Sequence, residues 1–164
     1  MTSARESAVV PVSEWRWFGR AAHFICAGWC RFHLATEVGD FVVSTVGEYL
    51  PIDSVQTVFA RVRGFPLTLA GEAREAEFIE KNGGYEDIGL GRKFETGVFR
   101  AGEPCTAKGC DCGQRRIVVT PCLHAEGYSD AKAATEGHYR VCEMAARGEI
   151  VVPPDADDGD DDDE

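Results

Sequence analysis

The chain has 164 residues, of which 44% are hydrophobic, and a formal net charge of −11; that is the size of one domain with enough apolar side chains for a real core. No apolar run of roughly 18 residues is present to span a membrane, and no basic segment followed by an apolar stretch marks a secretory signal, so the expected setting is a reducing cytoplasm, where clustered cysteines serve as metal ligands more readily than as disulfides. Eight of the last ten residues, Asp155 to Glu164, are acidic and none is basic; the remainder holds 20 acidic and 17 basic residues, a balance of −3, which offers no basic face for duplex DNA.

Residues 1–13 read as a flexible lead-in, followed by a strand-like stretch at Trp15–Phe18. Ala21–Leu50 reads as a three-stranded meander, with a three-residue turn at Ala27-Gly28-Trp29 and a two-residue turn at Gly39-Asp40. The first turn pairs Cys26 with Cys30, Phe24 with Phe32 and His23 with His33. The second pairs Val38 with Phe41, Thr36 with Val43 and Leu34 with Thr45. One face then carries Phe24, Cys26, Cys30, Phe32, Leu34, Val38, Phe41 and Val43. The other carries His23, Ile25, Arg31, His33, Glu37, Ser44, Val46 and Glu48. An apolar face against a mixed one is the signature of a half-buried antiparallel sheet; Arg31 and Glu48 fall opposite each other.

Val55–Val62 is a further strand, ended by Gly64 and Pro66. Glu72–Asn82 reads as a short helix stopped by Gly83-Gly84. Phe94–Arg100 is strand-like; Gly89-Leu90-Gly91 before it lacks the third glycine, the lysine and the following helix of a phosphate loop. Residues 101–127 read as an irregular loop in which only Arg116–Thr120 is strand-like, and its length points to function or a metal clip. Ser129 or Asp130 caps a helix that runs to about Arg147 and ends at Gly148. Its apolar stripe is Ala134, His138, Val141, Cys142 and Ala145, with Arg140, Glu143 and Arg147 on the other side.

The expected fold class is therefore α+β: an antiparallel meander with a short helix, a Cys-rich loop and a C-terminal helix. The expected organisation is a flexible segment 1–13, a single domain 14–150 with its Cys/His-rich loop and helix at 105–142, and a disordered acidic tail 151–164, the boundary marked by Pro153-Pro154.

All seven cysteines and four histidines fall in two windows, residues 23–33 and 105–142. A transition metal needs three or four soft or borderline donors converging on one point. In the second window His138 and Cys142 stand four apart on one helix and point the same way, and the loop adds Cys105, Cys110 and Cys112, eased by Gly109 and Gly113. Four of these five are the expected ligands of a structural zinc, with Cys122 and His124 in reserve. The first window, His23, Cys26, Cys30 and His33, is a secondary metal candidate, but the meander sends its cysteines and its histidines to opposite faces. The spacing fits no standard iron–sulfur pattern.

Catalytic signatures are missing: there is no G-x-S-x-G, H-E-x-x-H or Walker motif, and Pro104-Cys105 is not followed by a second cysteine at deaminase spacing. No catalytic residue is assigned. The string HFIC…CRFHLATEVGDFVVSTVGEYLP, with FETGVF and GHYRVCE after it, resembles small proteins of no assigned function encoded in bacteriophage and prophage genomes. The resemblance covers about residues 15–145. It implies a phage or bacterial cytoplasmic setting, and it implies no activity and no functional residue. The leading expectation is a small zinc-stabilised binding or accessory protein, phage-encoded, with a protein partner. The alternatives are a metal-dependent hydrolase or nuclease using the His23/His33 face, and an acidic inhibitor or nucleic-acid mimic that binds a basic host protein through the tail.

Overall fold

The structure, a computed structural model, describes residues 10–11, 14–18, 30–49, 69–88, 91–106, 112–118 and 121–153. The expected strands at 21–26 and 55–62, the turn at 27–29 and most of the acidic tail lie outside these residues. Within them the fold is α+β. The chain runs β1 (Arg16–Phe18), β2 (Cys30–Val38), β3 (Phe41–Tyr49), α1 (Leu69–Asn82), β4 (Phe94–Pro104), β5 (Arg115–Val118), β6 (His124–Tyr128) and α2 (Ala131–Ala146).

One antiparallel sheet holds all six strands in the order β1-β2-β3-β4-β5, with β6 also paired to β4. The β2–β3 hairpin has the expected register: Val38 faces Phe41, Thr36 faces Val43 and Leu34 faces Thr45. Gly39 makes that register possible, because the tight turn puts it at φ 57°, a conformation that side chains resist. The pairing at the open end runs Phe32 to Gly47 and Cys30 to Tyr49. Between them Glu48 takes φ 54°, and the Arg31 guanidinium donates to the Tyr85 hydroxyl at 2.7 Å.

Strand alternation sorts the sheet into two faces. Trp17, Thr36, Val38, Val43, Thr45, Thr96, Val98, Glu126 and Tyr128 share the face covered by α2, as the registers of β1, β2, β3, β4 and β6 require. There Val38, Val43 and Val98 pack against Val141, Cys142, Ala145, Ala146 and Ile150, with Val10 and Trp15 of the N-terminal segment against the same cluster. The Val10 amide donates to the Ala146 carbonyl at 2.9 Å, which straps this segment over the end of α2.

On the second face the sheet packs partly on itself. Beyond Arg100, β4 runs past the end of β3 and pairs with β5. Ala101 and Ile117 from this arm pack on the buried Ala35 and Val42. Arg115 locks the arm down: its Nε donates to Glu37 at 2.8 Å, and another of its nitrogens donates to the Gly39 carbonyl.

α2 starts at Asp130, whose carboxylate accepts from the Ala133 amide at 2.9 Å. Its buried residues include the whole expected stripe: Ala134, His138, Val141, Cys142 and Ala145. No helix among the described residues is long and apolar enough to cross a membrane.

Candidate functional site

Polar side chains concentrate where α2 crosses the sheet. Thr36, Thr45 and Thr96 stand on three adjacent strands, and each is fully buried. His138 projects from α2 between them. Its Nε2 lies 2.8 Å from Thr36 Oγ1 and its Nδ1 lies 2.7 Å from Thr45 Oγ1. Thr45 Oγ1 lies 2.6 Å from Thr96 Oγ1. Thr96 reaches the Tyr128 hydroxyl. At the rim Tyr128 donates to Glu126 at 2.7 Å. The same carboxylate is held by His124 Nε2 at 2.7 Å and by Arg140.

Gly137 makes room for this arrangement. A Cβ there would sit 2.2 Å from the Tyr128 hydroxyl, so only glycine lets the ring lie against the helix.

One direction of donation satisfies every link. Glu126 is ionised, because the Arg140 hydrogen bond, with help from His124 and Tyr128, outweighs burial and holds its carboxyl at about 2. A carboxylate only accepts, so Tyr128 spends its proton there and accepts from Thr96. Thr96 then accepts from Thr45, and Thr45 accepts from His138. The imidazole must therefore carry its proton on Nδ1 and use Nε2 to accept from Thr36. Such a fully satisfied buried network fixes the position of the helix on the sheet.

Burial sets the protonation states within it. It pushes the His138 imidazole down to about 4 and the Cys142 thiol up to about 12. Near neutral pH the ring is uncharged and the thiol keeps its proton, so this pair is neither a thiolate nucleophile nor an imidazolium.

The expected metal donors are dispersed through this fold. His138 and Cys142 are fully buried beneath α2. Cys105 and Cys112 are partly exposed at the base of the β4–β5 connection, which the Cys105 amide closes on the Gln114 carbonyl at 2.7 Å. Thr96 beside His138 and Pro104 beside Cys105 belong to one extended strand, so on the order of 25 Å of strand separates the two groups. Both ring nitrogens of His138 are engaged by hydroxyls, and ligation there would break those bonds. Cys110 lies outside the described residues. Of the reserve pair, His124 is committed to Glu126 and Cys122 is exposed. In the first window His23 and Cys26 lie outside the described residues. Cys30 is buried on the helix-covered side of β2, and His33 projects from the other side. Among the described residues no three His, Cys, Asp or Glu side chains converge as metal donors.

The chain matches no family model, no curated protein sequence and no solved structure.

Outside the buried network lies a second feature that residue spacing alone did not single out. Trp17 on β1 and Tyr139 on α2 are each 48% exposed, and their ring centroids are 5.3 Å apart with planes tilted by 55°. The inner side of Trp17 packs on His138 at 5.7 Å. The network thus backs an aromatic corner that opens to solvent. Its signal in the sequence was faint: Trp17 alternates with Trp15, and Tyr139 sits one residue off the apolar stripe.

Proposed function

We propose that this chain is a small phage-encoded binding protein of the bacterial cytoplasm that engages a protein partner through the Trp17–Tyr139 corner. The observation that carries this reading is the pair itself: two large aromatic side chains, half exposed and held face to tilted face on a satisfied, rigid support. Tryptophan and tyrosine dominate the energetic centres of protein interfaces because they bury much area at little entropic cost. Rigid backing from His138 lowers that cost further. The phage setting rests on the sequence resemblance.

Zinc enters this reading as a structural ion held by loop thiols. Cys105, Cys110 and Cys112 fall within one connection of the β4–β5 arm, and soft thiolates clustered in a short connection suit zinc. Bound there, the ion would contribute folding free energy to the arm. His138 and Cys142, engaged in the core, are not part of this set.

Site-specific photo-cross-linking in a bacterial cytoplasm tests the surface. A photoreactive residue at position 139 is expected to give one discrete adduct. The same residue at Lys81, on the exposed end of α1, is expected to give none. No adduct at 139, or the same adduct from both positions, would refute the reading.

A further inference from the structure

The outer row of α2 carries a charge pattern beside the aromatic corner. Lys132, Glu136, Tyr139, Arg140 and Glu143 are the exposed residues of the helix, and Arg147 at its C-cap continues the row. Glu136, Arg140, Glu143 and Arg147 alternate in sign at spacings of four, three and four. Such steps keep them on one side of the helix, opposite the stripe that covers the sheet. Acid and base balance within the row, so it favours neither a basic nor an acidic partner. Its existing bonds leave it open to further ones. Glu136 meets Lys132 at 3.8 Å and Glu143 meets Arg147 at 3.7 Å, exposed pairs of a kind that is weak. Arg140 holds Glu126 and Arg147 holds Glu149, yet 52% and 44% of these side chains stay exposed, and each guanidinium keeps donors to spare.

Turned end for end, this row becomes its own complement, because its spacing is unchanged and each acid falls where a base stood. In an antiparallel pair centred between Val141 and Cys142, Glu136 meets Arg147 of a second copy and Arg140 meets Glu143 of that copy. A parallel pair would instead set each residue against itself. Sliding the antiparallel pair by about one turn would set Glu136 on Glu143 or Arg140 on Arg147, like on like. The pairing that matches all the charges also keeps both Tyr139 rings on one flank of the row. Five residues of rise, about 7.5 Å, separate them along the axis. The two corners, each with Trp17 against its tyrosine, then join in one aromatic patch.

Resting on the binding-protein reading above, we infer that the protein partner is a second copy of this chain, docked by antiparallel packing of the two α2 helices about a two-fold axis. A two-fold interface uses the same patch on both subunits and must be self-complementary. The charged row meets that demand. Contacts of this kind set register and orientation more than affinity, while the rings supply buried apolar area.

Sedimentation equilibrium on the full-length protein and two single variants tests the pairing. The wild type is expected to dimerise, and more weakly as salt rises from about 0.05 to about 0.5 M. Glu136→Arg sets base against base across the axis, and Arg147→Glu sets acid against acid. Each variant alone should therefore dimerise at least about ten-fold more weakly. Mixed in equal amounts, the two should form a heterodimer as tight as the wild-type dimer, because every cross-axis contact is then acid on base. Mixing would not repair a local loss of helix stability, and a thermal melt of each variant checks its fold. A wild type that stays monomeric, single variants that dimerise unimpaired, or a mixture no tighter than its components would each overturn the inference. The photo-adduct at position 139 separates this inference from the reading beneath it. An adduct of twice the chain's mass supports both, an adduct of any other mass keeps the surface and removes the second copy, and no adduct removes both.

Discussion

His138 draws the most chemistry into the smallest space, and its environment makes it a structural residue. Both nitrogens are matched by hydroxyls, and burial holds the ring neutral down to a pH of about 4. In the unfolded chain the same ring takes up a proton below about 6.5. Between these values the unfolded state binds more protons than the folded one, so stability falls as pH falls. The loss begins near pH 6.5 and levels off below about 4, for a total of about 3 kcal/mol from this residue. Glu126 acts lower on the scale: its contribution is complete above about 4.5 and is lost as pH drops toward 2. Denaturant titrations at pH 7 and pH 5 will measure the first effect. The drop in stability should be larger in the wild type than in His138→Gln, which has no proton to gain; equal drops would contradict the burial argument.

At the scale of elements, the parts legible in the sequence were those with a strong periodic pattern and a clear stop. Alternation plus Gly39 predicted the β2–β3 register from Val38–Phe41 to Leu34–Thr45, whereas the expected Arg31–Glu48 pair is interrupted where Glu48 takes φ 54°. The stripe of α2 emerged with all its members buried, and Phe94–Arg100 was recognised although β4 runs on to Pro104. β6 was missed because His124-Ala-Glu-Gly-Tyr128 has no β-branched residue and little apolar alternation. Its strand form comes from pairing with β4. The threonines were missed for a related reason. Parity alone places Thr36 and Thr45 on the core face, yet a hydroxyl gives no hydrophobic signal until a buried partner such as His138 is known. Nor could nearness in sequence show that β4 would carry Cys105 far from His138. The cap of α2 was narrowed to Ser129 or Asp130, and the structure selects Asp130. Asp130→Ala should therefore lower stability by about 1 kcal/mol in chemical denaturation, while Ser129→Ala should change it by less than about 0.5 kcal/mol. The reverse ranking would mean that Ser129 caps the helix.

Over the whole molecule, the chemistry divides between inside and outside. Inside, α2 covers one face of the sheet, the β4–β5 arm packs on Ala35 and Val42 of the other, and the hydrogen-bonded path from Thr36 through His138 to Glu126 ties helix to sheet. Outside, the Trp17–Tyr139 corner opens to solvent, with the loop thiols of the arm as the proposed zinc donors. The division depends on His138 belonging to the core and not to a metal. Ring nitrogen-15 spectra of histidine-labelled protein at pH 7, recorded before and after one equivalent of zinc, test this directly. The account predicts a neutral His138 with its proton on Nδ1 and no response to zinc. A protonated ring, or a His138 resonance that moves when zinc is added, would contradict it.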